Sequence, residues 1–181
     1  MAEKAPKIFP EELKIEIISQ KHDLTGFASY EQDLVDFLRD DALVNQEQNL
    51  SVTFVWFYNN WLVSYVTLLT DRITLSGGLQ NYFKEKGVHY KSLPALKIGR
   101  LCVDDKFRRR GLGKLMIEFS IMVAKEINQG KAGCRFITVD AKRNPVSELD
   151  SVQFYKRLGF QVTGEDRTKK VTFMHLDVKL V

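Results

Sequence analysis

The sequence predicts one α/β domain in which a mixed β-sheet is flanked by helices. The chain has 181 residues, of which 44% are hydrophobic. This length supplies one well-buried core and is too short for two ordinary domains. Strand and helix patterns follow in the order β, α, β, β, β, α, β, α, β, β, which is typical of one mixed sheet with helices packed on it. We therefore expect residues 1–181 to form a single domain.

The N-terminal part of the chain contains a strand signal and a helix signal. The run Leu13–Ile17 alternates apolar and polar side chains, as a half-exposed strand does. Ser29, with Gln32 three residues later, has the pattern of an N-terminal capping box. Apolar side chains then recur at helical spacing, which predicts an amphipathic helix over about 30–47.

The remaining elements are predicted from β-branched and aromatic runs and from one strong helical period. Asn59-Asn60 separates two such runs and suits a two-residue hairpin turn, because asparagine tolerates a positive φ. Glycines and Pro94 interrupt residues 70–94, where 79–86 is a candidate short helix. In chain order we expect strands at 51–58, 61–69 and 97–103, a helix at 111–127, a strand at 134–141, a helix at 150–158, and strands at 160–163 and 171–178.

Composition and cysteine spacing argue against several classes of protein. No apolar run approaches the roughly 18 residues of a membrane span, and the N-terminus lacks a signal-peptide pattern, so we expect a cytoplasmic protein. Cys102 and Cys134 stand apart in apolar segments, which predicts buried thiols. The three histidines show no ligand spacing, so we expect no metal. The net charge of +4 and pI of 9.0 suit an anionic partner without requiring nucleic acid.

The segment 101–114 joins an apolar strand to a basic turn that contains glycine and leads directly into a helix. A pyrophosphate at such a junction meets unpaired amides and the positive end of the helix dipole. Gly111 and Gly113 lack Cβ, so the backbone can approach phosphate oxygens closely. Arg108–Arg110 and Lys114 add positive charge, some of it available to a nucleotide 3′-phosphate. The spacing fits neither a Walker loop nor a Rossmann fingerprint, and a solvated basic turn is the alternative.

Two motifs in this order resemble those of the GNAT N-acetyltransferase superfamily. The first is the Arg-x-x-Gly-x-Gly loop at 108–113, between its strand and its helix. The second is the run Phe154–Phe160, which is similar to the superfamily hallmark F-Y-x-x-x-G-F. The resemblance implies the acyl-CoA N-acyltransferase fold, a mixed and mostly antiparallel sheet with a splayed parallel pair at its centre. It also implies an acetyl-CoA-dependent N-acetyltransferase.

The same resemblance implies roles for individual residues. Tyr155 takes the place of the tyrosine that protonates the departing coenzyme A thiolate, and a phenol with a pKa of about 10 suits that role. Without the motif, Tyr155 would be interpreted as a packed core aromatic. The residues implied to contact acetyl-CoA are Leu101, Val103, Arg108, Arg109, Gly111, Leu112, Gly113 and Lys114.

The strand before the loop lacks the glutamate that many members of the superfamily use as general base. The run Lys97–Val103 contains no carboxylate. Either another segment supplies the base, or the acceptor amine is already largely neutral. A lysine side chain has a pKa of about 10.4 and an α-amine one of about 8, so the absence favours an α-amine-like acceptor. Asp140, His89 and Glu165 are weak candidates for a base.

A narrower resemblance joins this chain to the GNAT toxins of type II toxin–antitoxin pairs, which acetylate the amino group of aminoacyl-tRNA. The runs that carry it are Gly26-Phe27, Leu34–Leu38, Ala42, Ser51–Val55 and Ile98–Asp104. The long loop at 142–149, the insertion at 79–91 and the modest charge of +4 depart from that group.

Three functional hypotheses therefore stay open. The acceptor is a small-molecule or protein amine, or it is aminoacyl-tRNA, or the chain is a non-catalytic acyl-CoA-binding module. Retention of both the basic loop and Tyr155 argues against the third hypothesis. The oligomeric state and the presence of an antitoxin are also open, with a homodimer among the alternatives.

Overall fold

A computed structural model of the chain describes residues 5–144, 150–164 and 170–181. The strands are β1 (Leu13–Ile17), β2 (Val52–Tyr58), β3 (Trp61–Thr74), β4 (Ser92–Val103), β5 (Phe136–Lys142), β6 (Gln161–Gly164) and β7 (Val171–Asp177). The helices are α1 (Gln32–Asp36), α2 (Ala42–Glu47), α3 (Gly77–Glu85), α4 (Leu112–Asn128) and α5 (Ser151–Arg157). No helix in the described ranges combines the length and the apolar composition that a bilayer crossing needs.

The sheet mixes antiparallel and parallel pairing, as the sequence predicts. Within the described residues its strand order is β1-β2-β3-β4-β5-β7-β6. β1 with β2, β2 with β3, β5 with β7, and β6 with β7 are antiparallel pairs. β4 and β5 run parallel. The expected parallel pair near the centre of a mostly antiparallel sheet is thus confirmed.

The chain divides into two compact units, the first of which comprises Met1–Leu69 and Ile98–Ser120. Its core lies where α1 and α2 pack on strands β2, β3 and β4. The hydroxyl of Tyr65, a fully buried residue, donates to the carbonyl of Leu34 at 2.6 Å. The buried members of this cluster are Ile18, Phe27, Val35, Phe37, Leu38, Ala42, Val55, Leu62, Tyr65 and Cys102.

The hairpin between β2 and β3 has the predicted two-residue turn. Asn59 and Asn60 adopt φ values of 49° and 63°. Both angles are left-handed, which asparagine tolerates and which the right-handed twist of a hairpin requires. Tyr58 and Trp61 pair directly across the turn. The turn chemistry therefore sets the register of these two strands.

The helical region after residue 30 differs from the prediction in two details. The cap residue is Glu31, while Ser29 Oγ accepts from the Glu31 amide at 3.2 Å, so the predicted capping box with Gln32 is wrong. A π-helical segment, Phe37–Asp41, separates α1 from α2. Phe37 and Leu38, the first two residues of this segment, are both buried.

The second unit comprises Thr70–Lys97 and Ile121–Val181. Its core contains Ile73, Leu75, Phe83, Leu93, Ala95 and Phe136. Phe83 fixes the insertion helix α3 to this core, since its ring packs edge-on against Phe136 at 5.9 Å. The short helix predicted at 79–86 is confirmed as α3, which begins two residues earlier than predicted.

Strand β4 begins at Ser92, five residues before the predicted start at Lys97. The glycines and Pro94 made this stretch resemble a loop in sequence. Proline can occupy a strand where only its carbonyl is used. Here the Pro94 carbonyl accepts from the Arg135 amide at 2.9 Å, just before β5 begins.

Candidate active site

The loop after β4 is held by a buried carboxylate, Asp104, which is only 2% exposed. Its Oδ1 accepts from the Lys106 amide and its Oδ2 from the Ala28 amide, both at 2.9 Å. Its own amide donates to the Val63 carbonyl at 2.9 Å. Asp104 thus ties the end of β4 to two other segments of the same unit. Sequence reasoning missed this residue, although an acidic residue directly after a buried strand was a usable signal.

The loop backbone turns through two left-handed residues before α4 begins. Arg109 has φ 62° and Gly111 has φ 96°. The Leu115 amide donates to the Gly111 carbonyl at 3.2 Å, which marks the first turn of α4. The amides of Leu112, Gly113 and Lys114 precede this bond, so the helix itself offers them no acceptor. Backbone donors and the positive end of the helix dipole therefore meet at this loop.

The three consecutive arginines of the loop have different surroundings. The Arg108 guanidinium lies over the Tyr30 ring at 4.5 Å and 3.8 Å from an Asp105 carboxylate oxygen. Arg110 lies over the Tyr58 ring at 5.1 Å, and its Nε donates to the Pro6 carbonyl at 2.8 Å. Arg109 is exposed. Arg110 therefore anchors the N-terminal segment to the loop.

The other residues predicted to contact acetyl-CoA all lie in the first unit. Leu101 and Val103 are half-buried on β4, and the side chain of Leu112 is buried at 1% exposure. Lys114 is largely exposed and forms an ion pair with Glu118 at 3.2 Å. An exposed pair of this kind is weak, so it leaves the ammonium available to another anion.

Tyr155 lies in the second unit on the short helix α5, where it is 6% exposed. Asp150 caps this helix, since its Oδ1 accepts from the Val152 amide at 2.9 Å. The Tyr155 ring packs edge-on against Phe160 at 5.2 Å. Gly159, with φ 89°, lets the chain reverse between these two aromatics. The F-Y-x-x-x-G-F run is thus a helix end that fixes the orientation of the tyrosine.

Burial determines the acid–base character of Tyr155. Removal from water disfavours the phenolate and raises the pKa of Tyr155 above its ordinary value of 10.0. The hydroxyl therefore stays protonated throughout the neutral range. A buried, protonated phenol can donate a proton but is a poor base at that pH.

The structure gives little support to Asp140, His89 or Glu165 as the general base. Asp140 accepts a 2.7 Å hydrogen bond from the Lys97 ammonium, so its charge is already compensated. His89 is exposed in the segment before β4. Glu165 lies outside the described residues. Cys102 and Cys134 are buried free thiols, as predicted, and burial raises the pKa of both.

Comparison with known proteins identifies the family of this chain. Residues 54–162 match the model of the family described as the acetyltransferase (GNAT) domain. The chain belongs to the GNAT acetyltransferase family. The matched range contains the basic loop and Tyr155, the two motifs on which the sequence resemblance rests. This GNAT domain is an N-acetyltransferase.

Similar proteins include GNAT toxins. The chain is 27% identical over 152 residues to the tRNA-acetylating toxin of Mycobacterium tuberculosis (strain ATCC 25618 / H37Rv), covering 82% of this chain and 84% of that protein. A crystal structure of a tyrosine-to-phenylalanine variant of KacT has a TM-score of 0.74 at 21% identity, covering 93% of this chain and 96% of that one. AtaT complexed with acetyl-methionyl-tRNAfMet has a TM-score of 0.73 at 22% identity, with the same coverage. These likenesses confirm the fold and the resemblance to toxins.

Proposed function

We propose that this GNAT domain transfers the acetyl group of acetyl-CoA to the α-amino group of an aminoacyl-tRNA. The observation that carries the proposal is the 27% identity to a tRNA-acetylating toxin, which extends over most of both chains. A solved structure of AtaTR bound with AcCoA also shares the fold, with a TM-score of 0.72 at 22% identity. Among the hypotheses that the sequence leaves open, aminoacyl-tRNA as acceptor is thus the best supported.

The chemistry of the acceptor supports the same choice. The twelve residues of β4 contain no carboxylate that could deprotonate an incoming amine. Asp140, on the neighbouring strand, is compensated by Lys97. An α-amine has a pKa of about 8 and is partly neutral at pH 7, whereas a lysine ammonium is almost wholly charged. Within the described residues, a strand β4 that carries no carboxylate therefore suits an α-amine better than a lysine side chain.

The loop 108–113 fits the phosphates of acetyl-CoA. Left-handed backbone at Arg109 and Gly111 exposes consecutive amides at the start of α4. A Cβ added at Gly111 would meet no heavy atom within 4 Å, so there is room beside the backbone for a phosphate oxygen. Leu112 contributes through its amide, because its side chain is buried. The exposed cations Arg109 and Lys114 add charge, and Leu101 and Val103 provide the strand against which the pantetheine arm lies.

Within this proposal Tyr155 is the general acid. Acetyl-CoA, when bound, supplies the thioester whose carbonyl carbon the amine attacks. The Tyr155 hydroxyl holds a proton that burial keeps in place at neutral pH, and it donates that proton to the departing sulfur. The amine nitrogen releases a proton to water as the amide forms, and the phenolate takes up a proton from solvent. The packed ring and the capped helix α5 keep the hydroxyl in one orientation. Orientation of this kind lowers the barrier to proton transfer.

The acceptor is tested by comparing substrate classes with the purified chain. Acetyl-CoA is supplied with a mixture of aminoacyl-tRNAs, with the same tRNAs after deacylation, with a lysine-containing peptide and with a polyamine. We expect mass spectrometry to detect N-acetyl-aminoacyl-tRNA and to find no product on deacylated tRNA. Acetylation of the peptide or the polyamine with aminoacyl-tRNA left unmodified would overturn the proposal.

A further inference from the structure

The segment 72–91, which contains the insertion helix α3, carries most of the excess positive charge of the chain. It holds four cations and one anion, whereas the net charge of all 181 residues is only +4. The cations are Arg72, Lys84, Lys86 and Lys91, and all four are exposed. Among the described residues, the ion pairs of the chain join other side chains. These four charges are therefore available to an anionic ligand.

Two tyrosines of the same segment are also exposed. Tyr82, on α3, is 37% exposed, and Tyr90, which follows the helix, is 73% exposed. The Lys86 ammonium lies 4.9 Å from the centre of the Tyr82 ring. Aromatic rings beside cations are typical of surfaces that bind single-stranded nucleic acid, because bases stack on the rings while phosphates contact the cations.

The backbone that carries these side chains is anchored to the second unit. Phe83 is 3% exposed, and its ring packs against that of Phe136 at 5.9 Å. The Val88 amide donates to the Phe83 carbonyl at 2.9 Å, which closes the end of α3. The Leu75 amide donates to the Lys91 carbonyl, also at 2.9 Å. A surface that is already ordered loses little conformational entropy when a ligand binds to it.

The chemistry of the proposed acceptor matches this segment. Proteins recognise RNA mainly where its bases are unpaired and free to stack on aromatic side chains. In an aminoacyl-tRNA, the unpaired 3′ end carries the amino acid and so lies beside the reacting amine. Its bases suit the two exposed rings, and its phosphates suit the four cations. The insertion departs from the GNAT toxins, so this role does not follow from the resemblance to them.

We propose that the segment 72–91 binds the unpaired 3′ end of the acceptor tRNA. Bases stack on Tyr82 and Tyr90, and phosphates lie beside Arg72, Lys84, Lys86 and Lys91. These six residues form the insertion surface. This role rests on aminoacyl-tRNA as the acceptor, and it identifies the part of the chain that holds the acceptor.

Binding of a tRNA that carries no amino acid tests the insertion surface without any acetyl transfer. Fluorescence anisotropy compares an intact labelled tRNA with one trimmed of its unpaired 3′ nucleotides. The wild-type chain should bind the trimmed tRNA about tenfold more weakly or worse. The double variant Tyr82→Ala/Tyr90→Ala should lose a similar factor on intact tRNA and little more on trimmed tRNA. The matched control is Trp61→Ala, at an aromatic residue outside the segment that is 64% exposed, and it should keep wild-type affinity.

The cations are tested through the salt dependence of the same binding. The double variant Lys84→Ala/Lys86→Ala should bind intact tRNA more weakly. The slope of log affinity against log salt concentration should fall by about 0.7 for each lysine that contacts a phosphate. Lys131→Ala, at an exposed lysine outside the segment, is the control and should keep the wild-type slope. Circular dichroism and the melting temperature establish that each variant is folded.

Three outcomes would overturn the proposal. They are equal affinity for intact and trimmed tRNA, wild-type affinity in the double tyrosine variant, and a double lysine variant with the salt slope of Lys131→Ala. Binding of an acidic peptide such as polyglutamate to the insertion surface, with no affinity for tRNA, would assign the surface to a protein partner and would also overturn it.

Failure of the insertion surface and failure of the proposed acceptor give different results. If aminoacyl-tRNA is acetylated with the same KM by the wild-type chain and by the double tyrosine variant, the surface is wrong and the acceptor stands. If uncharged tRNA binds as expected but only the peptide or the polyamine is acetylated, the acceptor is wrong.

Discussion

At the scale of single residues, Tyr155 shows how burial sets the protonation state of a side chain. Its ring is packed against Phe160 and its pKa is raised by removal from water. A core tyrosine and a catalytic tyrosine would both show these features. What distinguishes them is whether the hydroxyl contributes to the transition state while the ring contributes to packing, and the two contributions can be measured separately.

Tyr155→Phe removes the hydroxyl and keeps the ring. We expect kcat to fall by about 10²–10⁴-fold, the usual contribution of a positioned acid, with acetyl-CoA affinity little changed because the proton transfer matters in the transition state. Steady-state kinetics with the accepted acceptor and calorimetric titration of coenzyme A measure the two quantities. If the Tyr155→Phe variant keeps wild-type turnover, another group protonates the coenzyme A thiolate. If the variant loses both turnover and coenzyme A affinity, Tyr155 is a binding residue.

Asp104 illustrates a residue whose importance is set by its contacts. It accepts backbone hydrogen bonds from Ala28 and Lys106 and is almost fully buried. Replacing a buried carboxylate that accepts from two backbone amides by a residue without such acceptors leaves both donors unpaired. The backbone of the basic loop is therefore held in place by a buried acidic residue.

At the scale of elements, the start of α4 combines two glycines with different roles. Gly111 precedes the helix with φ 96°, a backbone conformation that residues with a side chain rarely adopt. Gly113 lies within the first turn of α4, where the backbone has the negative φ of a helix. Substitution at the two positions therefore separates backbone strain from loss of phosphate contact.

Gly113→Ala should weaken coenzyme A binding by about tenfold or more, since a methyl group displaces a phosphate oxygen from a charge-assisted hydrogen bond. The unfolding free energy should stay equal or rise by up to about 1 kcal/mol, because alanine is the better helix former. Gly111→Ala should instead lower the unfolding free energy by about 1 kcal/mol or more. Calorimetry with coenzyme A and urea denaturation provide the two measurements. Unchanged affinity in Gly113→Ala would remove this turn from the cofactor site.

At the scale of the whole molecule, His175 links folding to pH. It is 6% exposed on β7, and its Nδ1 lies 2.9 Å from Thr163 Oγ1. Burial lowers the pKa of His175 below its ordinary value of 6.5, an effect that the Asp177 carboxylate partly offsets. Below pH 6.5 the unfolded chain takes up a proton that the folded chain resists. The stabilising effect of a neutral His175 is therefore present above pH 6.5 and is lost as the pH falls below that value.

The unfolding free energy should thus decline between about pH 7 and pH 5 by at most about 1.4 kcal/mol per pH unit on account of this residue. His175→Gln should be less stable at pH 7 and should show a flatter decline. His89→Gln, at an exposed histidine, is the matched control and should retain the wild-type slope. Urea denaturation of the three proteins across this range gives the comparison. Parallel curves for wild type and His175→Gln would contradict the assignment.

The sequence by itself determined the elements that depend on local chemistry. Asparagine at 59 and 60 specified a left-handed turn, and the apolar period of α4 specified a long amphipathic helix. The two motifs at 108–113 and 154–160 determined the family, because phosphate binding at a helix start requires particular residues at particular spacing.

Only the tertiary structure decided the features that depend on partners far away in sequence. Pro94 lies in a strand because Arg135 uses its carbonyl, and Ser29 lies outside the helix that it was expected to cap. The three loop arginines look alike in sequence, yet Tyr30, Tyr58 and the backbone of Pro6 give them different surroundings. The physical reason is that such contacts join residues tens of positions apart, and periodicity and turn preference report only on near neighbours.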